Sequence, residues 1–191
     1  MNEKQFDSYE EYLFAHWCEE LKNEGYIKSW QHEGITIDLT SPKYVPWRKQ
    51  MKTKVKVEEK KLLEGSSYTP DFTIKWERKA NGVFCWQEMG TYNKIGKGWL
   101  FSTEGVSIVE IKPAIDRNNK TRLVRDRIKQ AMEHGTFVNL IKVPDFFKFT
   151  FAPERFFYTP SGNALRKKKG EPLIYSPEWL TLPNYINKLQ G

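Results

Sequence analysis

Long apolar runs are missing from this chain. Nowhere does it reach the ~18 consecutive apolar residues that a bilayer-crossing helix requires, which excludes a membrane-spanning helix. The amino-terminal stretch Met1 to Asp7 lacks both the basic and the apolar segment of a secretory signal, so a cytoplasmic protein without a membrane partner is expected. Cysteine and histidine are scarce: Cys18, Cys85 and three histidines stand at no metal-ligand spacing, which argues against a disulfide framework and against a Cys/His zinc site. Internal repeats and long low-complexity segments are also absent, leaving no basis for a solenoid or a disordered chain.

What is present is a basic, aromatic, globular composition. Apolar residues make up 39% of the 191 positions and charged residues 29%, a balance that supports one hydrophobic core and therefore one domain with additions. Thirty-one Lys and Arg against twenty-four Asp and Glu leave a net charge of +7, which points to an acidic partner such as nucleic acid or an anionic membrane. Charge alone does not choose between them. Aromatic residues reach 15%, and several lie beside cations, as in Lys28-Ser29-Trp30 and Pro46-Trp47-Arg48-Lys49. Such interleaving suits nucleic acid, and it equally suits rings in the core with cations on a solvated edge.

Periodicity orders the rest. Ser8 with Glu11 three residues on forms a capping box, and Tyr9, Leu13 and Trp17 recur at helical spacing until Gly25, which predicts a helix over roughly 9 to 23. Gly34 to Leu39 and Lys54 to Val57 alternate as early strands, with Ser41-Pro42 and Pro46 read as forcing a loop between them. Pro70 breaks the chain and delivers Asp71 to the head of a strand carrying Phe72, Ile74 and Trp76 on one face. Residues 77–104 read as an insertion, with Val83 to Trp86 as a candidate strand and a basic loop from Asn93 to Gly98. Val106 to Ile111 is apolar on both faces, as a central strand should be. A helix from Asn118 to His134 with Val124, Ile128, Ala131 and Met132 on its stripe follows, then a strand from Phe137 to Val143. The expected fold is α/β, a mixed sheet flanked by helices, with a core over 1–143 and an aromatic, basic extension over 144–191 packed on it.

One residue in that central strand is out of place. Burying an ionised Glu110 in apolar surroundings costs on the order of several kcal/mol unless a cation or hydrogen bonds compensate. Lys112 is two residues on, so its side chain leaves the same face of the strand. Asp71, placed by the Pro70 break, is the natural second carboxylate. Hard oxygen ligands for Mg²⁺ plus a cation to orient water are what phosphodiester hydrolysis needs. Glu-x-Lys also occurs at Glu20, Glu58, Glu59 and Glu77, so the spacing alone leaves a catalytic pair and a structural ion pair both open.

Pro70-Asp71 followed by Glu110-Ile111-Lys112 resembles the PD-(D/E)xK signature of the restriction-endonuclease-like nuclease superfamily. With Ser8-Tyr9-Glu10-Glu11 and Tyr68-Thr69-Pro70-Asp71-Phe72 included, the chain resembles phage junction-resolving endonucleases and, in order, transposon end-cleaving nucleases. The likeness extends over residues 8 to 143. It implies a restriction-endonuclease-like core and a metal-dependent endodeoxyribonuclease, encoded by a phage or mobile element and acting in the host cytoplasm. It also implies catalytic residues Glu11, Asp71, Glu110 and Lys112, and Mg²⁺, replaceable by Mn²⁺, held by Asp71, Glu110, the carbonyl of Ile111 and Glu11. The gap of 39 residues between Asp71 and Glu110 is longer than in compact members, so residues 77–104 must form an extra hairpin or lobe. Glu10 competes with Glu11 as the helix ligand, because Glu11 has a capping role of its own. Arg122, Arg125 and Lys129 line one side of the second helix and, with Arg166, Lys167 and Lys168, are candidate DNA contacts; a solvated basic edge is the alternative. The partners implied are DNA and a possible homodimer or a phage or recombination assembly. The rival readings are a non-catalytic DNA-binding protein and a structural phage protein that keep the fold.

Overall fold

The computed structural model describes residues 1–87, 97–115, 120–158 and 179–190. Its first long element is helix α1 (Tyr9–Asn23), capped by Ser8, whose hydroxyl accepts from the Glu11 amide, and ended at Gly25, whose φ of 69° suits a residue without Cβ. Strands β1 (Ile27–His32), β2 (Ile37–Thr40), β3 (Lys43–Gln50), β4 (Val55–Leu63), β5 (Ser66–Tyr68) and β6 (Phe72–Trp76) follow. Next come β7 (Cys85–Gln87), β8 (Leu100–Ser102), β9 (Val106–Pro113), helix α2 (Lys120–Glu133), β10 (Val138–Val143) and helix α3 (Leu182–Gln190).

The central sheet has the order β1-β6-β9-β10. β1 and β9 both run antiparallel to β6, while β10 runs parallel to β9, to which α2 connects it. The protein is thus mixed α/β with a mixed central sheet. One sheet face, with Phe72, Ile74, Val109 and Ile111, packs on Phe14, Trp17 and Leu21 of α1. Full burial of each such side chain stabilises by about 1.5–3 kcal/mol, so this layer dominates the fold. The other face, with Ile108, Val138 and Leu140, packs on Ile128 and Ala131 of α2 and on Leu39 and Tyr68 of β2 and β5.

Several expectations change. One of the sheet's two outer strands is β1, in which a bulge between Ile27 and Ser29 interrupts the alternation that would have marked it. The Ile37 segment pairs with β5 in a small separate sheet. Pro46 lies inside β3, opposite Glu59, rather than in a loop; a two-stranded ribbon has free edges, so its missing N–H breaks no sheet ladder. Met132 is exposed on α2 rather than on its packed stripe. The described parts of the 77–104 insertion are woven into the core. Phe84, Cys85 and Leu100 join the main cluster, β7 and β8 pair in parallel, and the Asn139 amide bridges Phe101 to Ile108. Likewise Phe146, Phe147, Phe151 and Phe157 belong to the main buried cluster.

Candidate active site

Strand β9 sends Val109 and Ile111 into the α1 layer and Glu110 and Lys112 to the opposite face. The two charged groups meet there: Lys112 Nζ lies 2.6 Å from Glu110 Oε1, with the Glu110 side chain only 5% exposed. Lys112 Nζ also donates to the carbonyl of Ile111 at 2.8 Å. From β5 the Tyr68 hydroxyl donates to Glu110 Oε2 at 2.6 Å. Both oxygens of the buried carboxylate are therefore satisfied, one by a cation and one by a phenol.

Asp71 stands one residue before β6. Phe72 pairs with Val109, so continuing the antiparallel register places Asp71 across from Glu110. Its Oδ2 accepts a 2.6 Å hydrogen bond from the Ile111 amide. Burial and then the Glu110 charge push the Asp71 carboxyl up to about 7, against the Ile111 hydrogen bond and Lys112, which pull it down; Glu11 adds to the rise. The Lys112 ammonium thus contacts the Glu110 carboxylate and the Ile111 carbonyl, while Asp71 sits on the Ile111 amide and feels both charges.

Glu11 is buried, whereas Glu10 is half-buried. The Glu11 carboxylate is held by the Ser8 hydroxyl at 2.7 Å, the Asp7 amide at 3.3 Å and His32 Nε2 at 3.1 Å. It feels the site electrostatically, yet its oxygens are tied to the α1 cap and to β1. Among the described residues no three His, Cys, Asp or Glu side chains converge as a metal cluster. The oxygen donors gathered about the Ile111 peptide are those of Asp71, Glu110 and the Ile111 carbonyl, hard ligands of the kind that a divalent cation takes.

Of the expected DNA contacts, Arg122 and Arg125 are exposed on α2, and Lys129 is in an exposed 3.6 Å ion pair with Asp126 that contributes little to stability. Arg166, Lys167 and Lys168 lie outside the described residues. Residue-by-residue reading missed three groups. Tyr68 was visible only as part of a motif, with no signal that its hydroxyl would reach a residue 42 positions away. His32 sits on the strand that its bulge disguised. Arg127, close enough to oppose the upward shift of the Tyr68 phenol, lies between the two arginines that spacing picked out and Lys129. Compared with family models, curated proteins and solved structures, the chain matches none. No described helix is long and apolar enough to cross a membrane.

Proposed function

We propose that the chain is a metal-dependent endonuclease that hydrolyses phosphodiester bonds of DNA, with Asp71, Glu110 and Lys112 at its centre. The observation that carries this reading is that Asp71, distant in sequence, meets the neighbouring pair Glu110 and Lys112 at the Ile111 peptide. The element order α1, β1, β6, β9, α2, β10 agrees with what the PD-(D/E)xK resemblance implies and supports a restriction-endonuclease-like core.

Asp71, Glu110 and the Ile111 carbonyl would hold Mg²⁺ or Mn²⁺, with Glu11 behind them. The ion's contribution is charge neutralisation at the scissile phosphate and acidification of water. Lys112, already gathered against Glu110, orients the attacking water and carries positive charge toward the phosphate. Tyr68 holds the second oxygen of Glu110 and so fixes the carboxylate's rotamer. His32 and Ser8 do the same for Glu11. A phage or mobile-element source, a host-cytoplasmic setting and a homodimer or recombination assembly belong to the same proposal.

The test is cleavage of supercoiled, linear and branched DNA by the purified chain with Mg²⁺ or Mn²⁺. Wild type is expected to cut, and Glu110→Ala and Lys112→Ala are each expected to lose at least about 100-fold in rate. DNA bound tightly but left intact under every divalent ion would replace the enzyme with a non-catalytic DNA-binding protein.

A further inference from the structure

Strands β3 and β4 form a two-stranded ribbon with no buried residue in either strand; only Val45 and Glu58 are half-buried. A lone two-stranded ribbon is marginal in water, because neither face is covered. This one nevertheless exposes large apolar side chains: Tyr44, Trp47, Val57 and Leu62 are each at least half exposed. One cross-strand contact supports it, with Lys60 Nζ 4.6 Å from the Trp47 ring centroid, while Lys56 pairs with Glu58 at 2.6 Å along β4 itself.

Its charge is lopsided. Residues 43–63 contain eight Lys or Arg and two Glu, so the ribbon holds +6 of the chain's net +7. Both acids are in the inner part of β4, whereas residues 48–57 at the outer end have five cations and no acid. Across the ribbon, Trp47 and Lys49 share a face with Glu58 and Lys56, their partners in register.

The ribbon is also wired to the site. Its strands continue into β2 and β5, where the Thr40 and Ser66 hydroxyls meet at 2.8 Å. A Cβ at Gly65 would lie 2.8 Å from the Thr40 carbonyl oxygen and 3.1 Å from Pro42, so the joint has no room for a side chain. Tyr68, at the end of β5, is the residue that grips Glu110, and Asp71 follows three positions later.

We infer that the β3–β4 ribbon is a duplex-DNA arm that lies in the major groove, its outer cations neutralising phosphates while Trp47 and its neighbours contact the groove. At about 3.4 Å per residue the strands span roughly 27 Å, and two strands about 4.8 Å apart fit a groove about 12 Å wide. Charge complementarity selects the duplex, since a dense row of cations matches the phosphate spacing of both strands. The inference rests on DNA being the partner named above, and it assigns the grip to a segment away from the carboxylates.

The experiment measures binding of the full chain to a fluorescent duplex in EDTA, where cleavage is silent, as a function of salt. The variant combines Lys49→Ser, Lys52→Ser, Lys54→Ser and Lys56→Ser, all exposed, with thermal unfolding as its folding control. Wild-type affinity is expected to fall steeply with salt. The variant should bind about 100-fold more weakly near physiological salt, with a log–log slope shallower by about 3. In the wild type, bound duplex should protect these lysines from acetylation, a readout that survives a misfolded variant. Equal affinity and slope, with no protection, would overturn the arm. So would loss of self-association without loss of DNA binding, which would make the occupant a second copy, or binding of anionic phosphatidylserine vesicles but not of duplex. Arm-dependent binding without cutting by Mg²⁺-loaded wild type would leave the arm standing and remove only the nuclease reading.

Discussion

Glu110 is buried between a phenol and an ammonium, and this pairing makes an ionised group tolerable in the sheet's interior. Asp71 has one backbone hydrogen bond and a like-charged neighbour, so burial prevails and its acidity drops. Glu20, on α1, shows the same physics beside Glu154. It is half-buried, accepts from the Glu154 amide at 2.6 Å, and is pushed by burial from 4.5 up to about 7. Between those two pH values the folded protein retains a proton that the unfolded chain has released, so Glu20 makes stability fall as pH rises through the window. Glu20→Gln keeps an acceptor for Glu154 and removes the charge. The variant should match wild type near pH 4 and become more stable by about 1 kcal/mol above pH 7, because solvent screens part of the burial effect. Urea unfolding across pH checks this, and a gap that does not widen with pH would count against it.

At the scale of elements, the start of α1 does two jobs at once. Ser8 caps the helix through the Glu11 amide and also binds the Glu11 carboxylate. Ser8→Ala should cost about 1 kcal/mol of stability, measured by urea unfolding. Glu11→Gln can still accept from Ser8, so it should leave stability nearly unchanged while lowering Mg²⁺-dependent cleavage by about 10- to 100-fold. Unchanged cleavage in Glu11→Gln would leave Glu11 with only its cap. Helix α1 was legible in sequence because capping, periodicity and stop all coincide. Strand β1 was not, because its bulge erased the period-two pattern. Pro46 misled for a related reason: proline forbids a central strand, but nothing local says that a strand will have free edges.

For the whole molecule, one core is assembled from distant segments. Phe151 is fully buried, stacked 5.6 Å from Trp17 and edge-on to Phe84 at 6.0 Å. Phe151→Ala should therefore destabilise the entire chain by about 3–5 kcal/mol in a single cooperative transition. A separate, earlier transition would mean that 144–158 folds apart from the core.

Residue types and spacing were enough to determine α1, the apolar central strand and the out-of-place charges Glu110 and Lys112 in it, because each of these depends on local periodicity or on a charge that has no place in an apolar run. Tertiary structure alone decided that Tyr68 closes over Glu110, that His32 meets Glu11, that the described parts of 77–104 and the carboxy-terminal aromatics belong to the core, and that β3 and β4 stand free. Those outcomes turn on which distant surfaces come into contact, and burial and hydrogen-bond partnership are properties of pairs rather than of positions.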